Sequence, residues 1–143
     1  MEYRIRAATL DDVDVLVRHR IGMFTDMGVP LDAAALEASF RAWLAEDAAG
    51  AVAAGGGITV LPWPPGPHYM GNRLAFVYNV YTEVAHRRRG LARLIMDVIH
   101  AWCRDNGIAS MALNASRDGL PLYQSMGYVE SRAPMMFLPI VRV

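Results

Sequence analysis

Residues Leu74 to Thr82 read Leu-Ala-Phe-Val-Tyr-Asn-Val-Tyr-Thr. Phe76, Val77, Tyr78, Val80 and Tyr81 put apolar or aromatic side chains on both faces of an extended segment. Such a strand needs cover above and below, so it belongs in the middle of a sheet. A short bend follows, and Gly90 opens a helix whose Leu91, Leu94, Ile95, Val98, Ile99 and Trp102 fall on one face. Asn106-Gly107 supplies the stop. A central strand, a bend and an amphipathic helix define a mixed α/β chain, and the remaining elements must be arranged around that unit.

The other segments are read in the same way. Tyr3 to Ala7 alternates as a first strand. Thr9 is placed to cap a helix with Asp11 and Asp12 in its first turn, where the dipole favours them. Val13, Leu16, Val17, Ile21 and Phe24 recur at helical spacing and are expected to face the core; Gly28 and Pro30 end the segment. Asp32 is positioned to cap a second helix bearing Leu36, Phe40, Trp43 and Leu44, although Arg41 to Glu46 reads equally as extended. Ala51 to Leu61 is a strand weakened by Gly55-Gly56-Gly57, and Pro62 to Pro67 is a loop. Ile108 to Asn114 is a strand, Leu120 to Met126 a short helix closed by Gly127, and Met135 to Val141 a last strand interrupted by Pro139.

At 143 residues, 54% hydrophobic and 20% charged, the chain is one globular domain spanning 1–143. Fourteen basic residues, all arginine, balance fourteen acidic ones. Zero net charge disfavours bulk attraction to nucleic acid or anionic membrane. The single cysteine, Cys103, excludes an intrachain disulfide and zinc-ligand spacing, so no metal is expected. The start lacks an apolar signal region, and no apolar run approaches a membrane span, so a cytoplasmic location is expected.

The chemistry concentrates at Arg87-Arg88-Arg89-Gly90-Leu91-Ala92. A helix N-terminus presents free N–H groups and the positive end of its dipole, a setting for phosphate. Gly90 admits close backbone approach, Ala92 leaves the first turn uncrowded, and three guanidinium groups add charge. The hexapeptide alone also fits a solvated charge run or a basic nucleic-acid patch. It is not a P-loop, since no Lys-Ser/Thr follows the glycine, and it lacks the spaced glycines of a dinucleotide fold.

With Val80-Tyr81-Thr82-Glu83 before it, this turn resembles the Gln/Arg-x-x-Gly-x-Gly/Ala signature of the GNAT superfamily of N-acetyltransferases. Leu113-Asn114-Ala115-Ser116 followed by Leu120 to Tyr128 is similar to that family's strand and short helix ending in Tyr-x-x-x-Gly-Phe/Tyr. Ile5 to Asp12 resembles its first strand and helix start. The resemblance implies one mixed, mostly antiparallel sheet of about six or seven strands flanked by about four helices, with strands 4 and 5 splayed apart. It implies acetyl-CoA as co-substrate, with its pantetheine arm against the backbone of Val80, Tyr81 and Thr82 and its pyrophosphate on the turn from Arg87, Arg88 and Arg89 through Gly90, Leu91 and Ala92. Asn114 matches a residue that contacts pantetheine, and Tyr123 matches the acid that protonates the departing thiolate. Read alone, Tyr123 is equally a core aromatic of a short amphipathic helix. The expected activity is acetyl transfer to a primary amine of a small molecule or peptide, without a covalent enzyme intermediate, by a chain that forms a homodimer.

One feature departs from that pattern. Some family members carry a strand-4 glutamate where this sequence has Phe76. Glu83 is the nearest carboxylate and the weak candidate for the base; His86 is close by, and Tyr78 and Asn79 offer a water relay. The acceptor is expected against His19, Arg20, Phe24, Met27 and the Trp63–Tyr69 loop. A chain that keeps the cradle but has lost catalysis, serving as a CoA-binding regulatory module, is the competing expectation.

Overall fold

The computed structural model describes residues 2–26, 41–67 and 69–140. Five strands form one sheet in the order β1-β2-β3-β4-β5: β1 (Arg4–Ala7), β2 (Arg41–Glu46), β3 (Val52–Pro62), β4 (Arg73–Thr82) and β5 (Ser110–Leu113). The first three pairings are antiparallel and β4–β5 is parallel. Three α-helices complete the described residues: α1 (Val13–Asp26), α2 (Leu91–Asp105) and α3 (Leu120–Ser125). The parallel pair is joined through α2, as a crossover between parallel strands requires.

This is the expected mixed, mostly antiparallel class, with fewer described elements than expected. Arg41–Glu46 is a strand, not a helix end, so Trp43 and Leu44 are buried sheet residues. The helix expected from Asp32 lies outside the described residues. The strand expected over Met135–Val141 is not formed: as far as Ile140 the segment is irregular and exposed, and its last three residues lie outside the described set. Its apolar content satisfied a strand pattern, but Pro139 lacks the donor that a strand paired on both sides needs.

The helices sit on opposite faces of the sheet, and the β3 glycines show why. A side-chain carbon at Gly55 would lie 2.9 Å from Leu44 Cδ2 and 3.0 Å from His19 Nδ1 of α1. One at Gly56 would lie 2.6 Å from Ile95 Cγ2 of α2. Successive strand residues point to opposite faces, so the triplet lets both helices approach the sheet closely rather than merely weakening the strand.

On the α2 face the core is dry. Leu91, Ile95, Met96, Ile99 and Cys103 are buried against Ala45, Ala53, Ile58 and Val77. The α1 face is different. Val13 is exposed and Leu16, Val17 and Ile21 are only half-buried, against expectation, while His19 is fully buried. The helix turns His19 and Gly22 to the sheet, because a bare Gly22 permits contact with the Tyr81 ring. Phe24's side chain is outside the described set.

Thr9 caps as expected, accepting from the Asp11 N–H while Asp12 accepts from the Thr9 N–H. Asp12 also takes two 2.7 Å bonds from Arg6, whose Nε bonds Glu46 at 2.7 Å. Those guanidinium bonds, first that of Arg6, hold the Asp12 carboxyl far below its ordinary range. The network pins the start of α1 to β1 and β2.

Candidate active site

β4 and β5 share a ladder only from Leu74↔Ser110 to Val77↔Leu113. Beyond Val77, β4 continues for five residues without β5, so the two strands part as expected. The gap holds a cleft of about 270 Å³, lined on the β4 side by Tyr78, Asn79 and Val80 and on the other by Asn114, Ser116 and Tyr123. Arg20 and Met23 of α1 close its remaining side.

A bulge re-aims β4 at this point. Gly57 pairs with Tyr78 and Gly55 with Tyr81, so Asn79 and Val80 together face the single residue Gly56. Asn79 is buried with φ 56°, in the left-handed region that few side chains other than Asn and Asp enter readily. Its Oδ1 accepts from Arg20 Nη1 at 2.5 Å, and the Arg20 guanidinium lies 5.9 Å from the Tyr78 ring centroid. Burial lowers the Arg20 pKa.

Tyr123 reaches the cleft from α3, 8% exposed and edge-on to Tyr128, with ring centroids 5.8 Å apart. Burial raises its phenol pKa, so the proton stays in place at neutral pH. The end of α3 is closed by the Tyr128 N–H donating to the Tyr123 carbonyl at 3.0 Å and by Gly127 at φ 96°. Tyr128 Oη lies 2.8 Å from His100 Nε2, which ties α3 to α2.

The arginine turn divides its labour. Gly90 (φ 79°) and Arg88 (φ 64°) are both left-handed, curling the chain into the N-terminus of α2. The space around Gly90 is open where a side chain would stand. By helix geometry the Leu91, Ala92 and Arg93 N–H groups have no partner within α2. Arg87 is committed elsewhere: it donates to the Thr82 carbonyl at 3.0 Å, pairs with Asp26 at 2.5 Å and lies over Tyr81. Burial lowers its pKa, but Asp26 and Tyr81 together raise it above its ordinary value. Arg89 donates to Tyr3 Oη at 3.2 Å, and Arg88 is exposed.

Glu83 lies outside the residues lining the cleft. Its Oε1 accepts from Arg18 at 2.8 Å and sits 3.2 Å from His19 Nε2. Burial pushes its pKa up, but Arg18 and His19 outweigh that and leave it lowered. Burial lowers the His19 pKa. His86 meets the Tyr3 hydroxyl at 3.1 Å. Of the expected acceptor wall, Met27 and His68 are outside the described residues; Trp63 and Tyr69 contact each other at 5.7 Å between ring centroids. Burial raises the Cys103 thiol pKa, which leaves it a core residue. No group of His, Cys, Asp and Glu fit to hold a metal occurs among the described residues, and no helix there is long and apolar enough to cross a membrane.

Sequence reasoning missed Ser116 in the cleft and the His19–Glu83–Arg18 cluster. A strand asparagine opposite consecutive glycines was the available sign of the bulge.

Known proteins share this fold. Residues 38–130, about two thirds of the chain, match the acetyltransferase (GNAT) domain model. A GCN5-related N-acetyltransferase from Ralstonia eutropha is 31% identical, with 97% of this chain and 99% of that one covered at a TM-score of 0.83. A predicted acetyltransferase from Clostridium acetobutylicum, solved with acetyl-CoA, is 22% identical at 0.82, covering 96% of each chain. A ribosomal-protein-alanine N-acetyltransferase from Brucella melitensis is 20% identical at 0.76, covering 96% and 99%. No curated protein matches the chain. The domain match, the Ralstonia relative and the parting of β4 from β5 lead to one conclusion: the chain belongs to the GNAT family of acetyltransferases.

Proposed function

We propose that this chain moves the acetyl group of acetyl-CoA to a primary amine of a small molecule or peptide by direct attack. The observation that carries the proposal is the cleft between β4 and β5, with Tyr123 inside it and the α2 N-terminus beyond the end of β4. Acetyl-CoA supplies the activated thioester, and the residues around it fit such a ligand. The open space at left-handed Gly90 and the unpaired N–H groups of the first α2 turn suit a pyrophosphate, with Arg88 and Arg89 adding charge. Arg87 supports this turn from behind, held by Asp26. The backbone of Val80, Tyr81 and Thr82, with Asn114 lining the same cleft, suits an extended amide-bearing arm.

Each chemical demand then has a residue. A β4 amide near Val80, fixed by the bulge, is a rigid donor for negative charge developing on the carbonyl oxygen. Tyr123, kept protonated by burial, gives its proton to the leaving sulfur. Glu83, already bonded to Arg18 and His19, is a poor proton acceptor, and in this reading it holds α1 to the end of β4. The amine attacks in its neutral form, and water beside Tyr78 and Asn79 takes the proton its nitrogen sheds as the new C–N bond forms.

The test is a thermal-shift titration with acetyl-CoA followed by a thiol-release assay over a panel of amines. Binding and turnover are expected, and Tyr123→Phe is expected to lower kcat about 100-fold while leaving acetyl-CoA binding nearly unchanged. Binding without turnover on any amine would replace the proposal with a non-catalytic CoA-binding module, the reading that Phe76 in place of a glutamate favours. Loss of acetyl-CoA binding itself would overturn both.

A further inference from the structure

The phenol of Tyr123 has only packing to aim it. Among the described residues its hydroxyl makes no hydrogen bond, and burial alone acts on its proton. A side chain that hands a proton to one particular atom must therefore be held in plane by its neighbours. Two contacts hold this ring. One is Gly119, a turn earlier, whose carbonyl accepts from the Tyr123 N–H at 3.2 Å. A side-chain carbon at Gly119 would stand 3.0 Å from Tyr123 Cε2 and 3.2 Å from Ser116 Oγ, although its φ of −82° suits any residue. The glycine is there for room, and it lets the ring lie close to bare backbone. The second contact is Tyr128, which meets the ring at 69° with centroids 5.8 Å apart.

Tyr128 is itself held from two further elements. Its Oη lies 2.8 Å from Nε2 of His100 on α2 and 3.9 Å from Met111 Sδ on β5. The His100 ring also lies against it, tilted by 36° with centroids 5.6 Å apart. A thioether sulfur is a weak acceptor, so the imidazole is the stronger tether. His100 is half-buried and stands outside the residues lining the cleft. It takes no part in the steps proposed there, yet only one ring separates it from the acid.

We infer that His100 is a positioning residue for acetyl transfer: through Tyr128 it fixes the plane in which Tyr123 presents its hydroxyl to the leaving sulfur. The inference rests on the reading of Tyr123 as the acid. As the C–S bond breaks, its electron pair stays on sulfur and the Tyr123 proton follows; the tyrosinate then regains a proton from water in the cleft. His100 exchanges no proton in this step. Its tether to Tyr128 needs one polar group that accepts or donates at Nε2. His100→Gln keeps such a group, whereas His100→Ala and Tyr128→Phe remove the bond from either end.

Two measurements on the full chain test this. The first needs no turnover: carbon-13 NMR of the tyrosine rings. In the intact protein the two edges of the Tyr123 ring should give separate signals. His100→Ala should speed its flipping about tenfold and His100→Gln should not; Tyr128→Phe must match His100→Ala, and replaces it should that variant fail to fold. The second is a double-mutant cycle in the thiol-release assay. His100→Ala should lower kcat roughly tenfold, leave KM for acetyl-CoA within about twofold, and be rescued by His100→Gln. In a Tyr123→Phe background the same change should cost less than about twofold, since no proton is left to aim. A Tyr123 ring that flips fast in the intact chain overturns the inference. So does full kcat in His100→Ala, or an equal loss in both backgrounds. Full kcat in Tyr123→Phe alone is the separate outcome that overturns the acid reading, and the inference falls with it.

Discussion

The two faces of β4 are built to opposite rules. Towards α2 the strand meets Ile95, Ile99 and Leu91, a dry wall with no polar side chain to satisfy. Towards α1 it meets His19, Arg20 and, at its end, Glu83, a wall of charge and hydrogen bonds in which His19 is fully buried. The dry face gives α2 a fixed depth against the sheet, and so fixes the helix N-terminus that offers its free amides. The polar face gathers the titratable groups His19 and Glu83 and the guanidinium groups of Arg18 and Arg20. In this fold, close apolar packing and the His19–Glu83–Arg18 cluster occupy opposite sides of one strand.

The dry face should be the more expensive to disturb. Ile95→Ala is expected to cost about 3–4 kcal/mol, since the side chain is fully buried and leaves a void. Gly56→Ala, whose new methyl would meet Ile95 Cγ2 at 2.6 Å, should cost about 2 kcal/mol by overpacking. The double variant should cost less than the sum, because the methyl enters the space that Ile95 vacates. Urea melts of the three variants measure this, and strict additivity would break the picture of direct contact between them.

On the polar face the effects should be smaller in stability and larger in rate. Asn79→Ala places an ordinary side chain at φ 56° and removes the Arg20 partner; about 1 kcal/mol of stability and roughly tenfold in kcat should go. Asn79→Gly keeps the backbone but loses the bond. Its kcat separates the two contributions: recovery assigns the effect to the backbone, and no recovery assigns it to the side chain.

The smallest expected effect is pH dependence. His19 is held below its ordinary pKa by burial, so its contribution is complete above about 6.5 and declines as acid forces the ring to charge. Glu83, also lowered, contributes above its unfolded value near ~4.3 and loses that contribution as pH falls through its folded value. Both slopes have the same sign, so the melting temperature should fall in two steps on acidification. His19→Gln should abolish the upper step and move the lower one towards the ordinary carboxylate range, since His19 helps to hold Glu83 down.

These two faces were unequally legible in the sequence. The α2 side follows from periodicity: Leu91, Ile95 and Ile99 announce a buried stripe, and the buried set differs mainly in including Met96 and Cys103 while leaving Leu94 partly exposed. The turn at Gly90 was legible because a left-handed residue before a helix calls for glycine. The α1 side was misread because periodicity ranks Val13 and Leu16 above His19, whereas a glycine–tyrosine contact sets how the helix is turned. Within the cleft, Tyr123, Asn114 and Val80 were readable from motif spacing. Ser116 was not, since a serine after a strand carries no pattern of its own. The C-terminal strand was overread: Met135 to Ile140 has the composition of a strand without a neighbour within the same sheet.

The extra residue at Asn79 has an evolutionary consequence. Because Tyr78 stands opposite Gly57 and Tyr81 opposite Gly55, the bulge brings two tyrosines of unlike parity onto the same side. β4 is in effect two half-strands spliced out of phase, and the splice is one residue wide. Deleting one residue there would invert the lining of everything from Val80 onward while leaving composition and hydropathy almost untouched. By contrast, the Asp47–Ala51 hairpin, exposed and closed by its own bonds, has no phase to keep. Length changes among related chains should therefore collect at that hairpin and be absent from the two residues Asn79 and Val80.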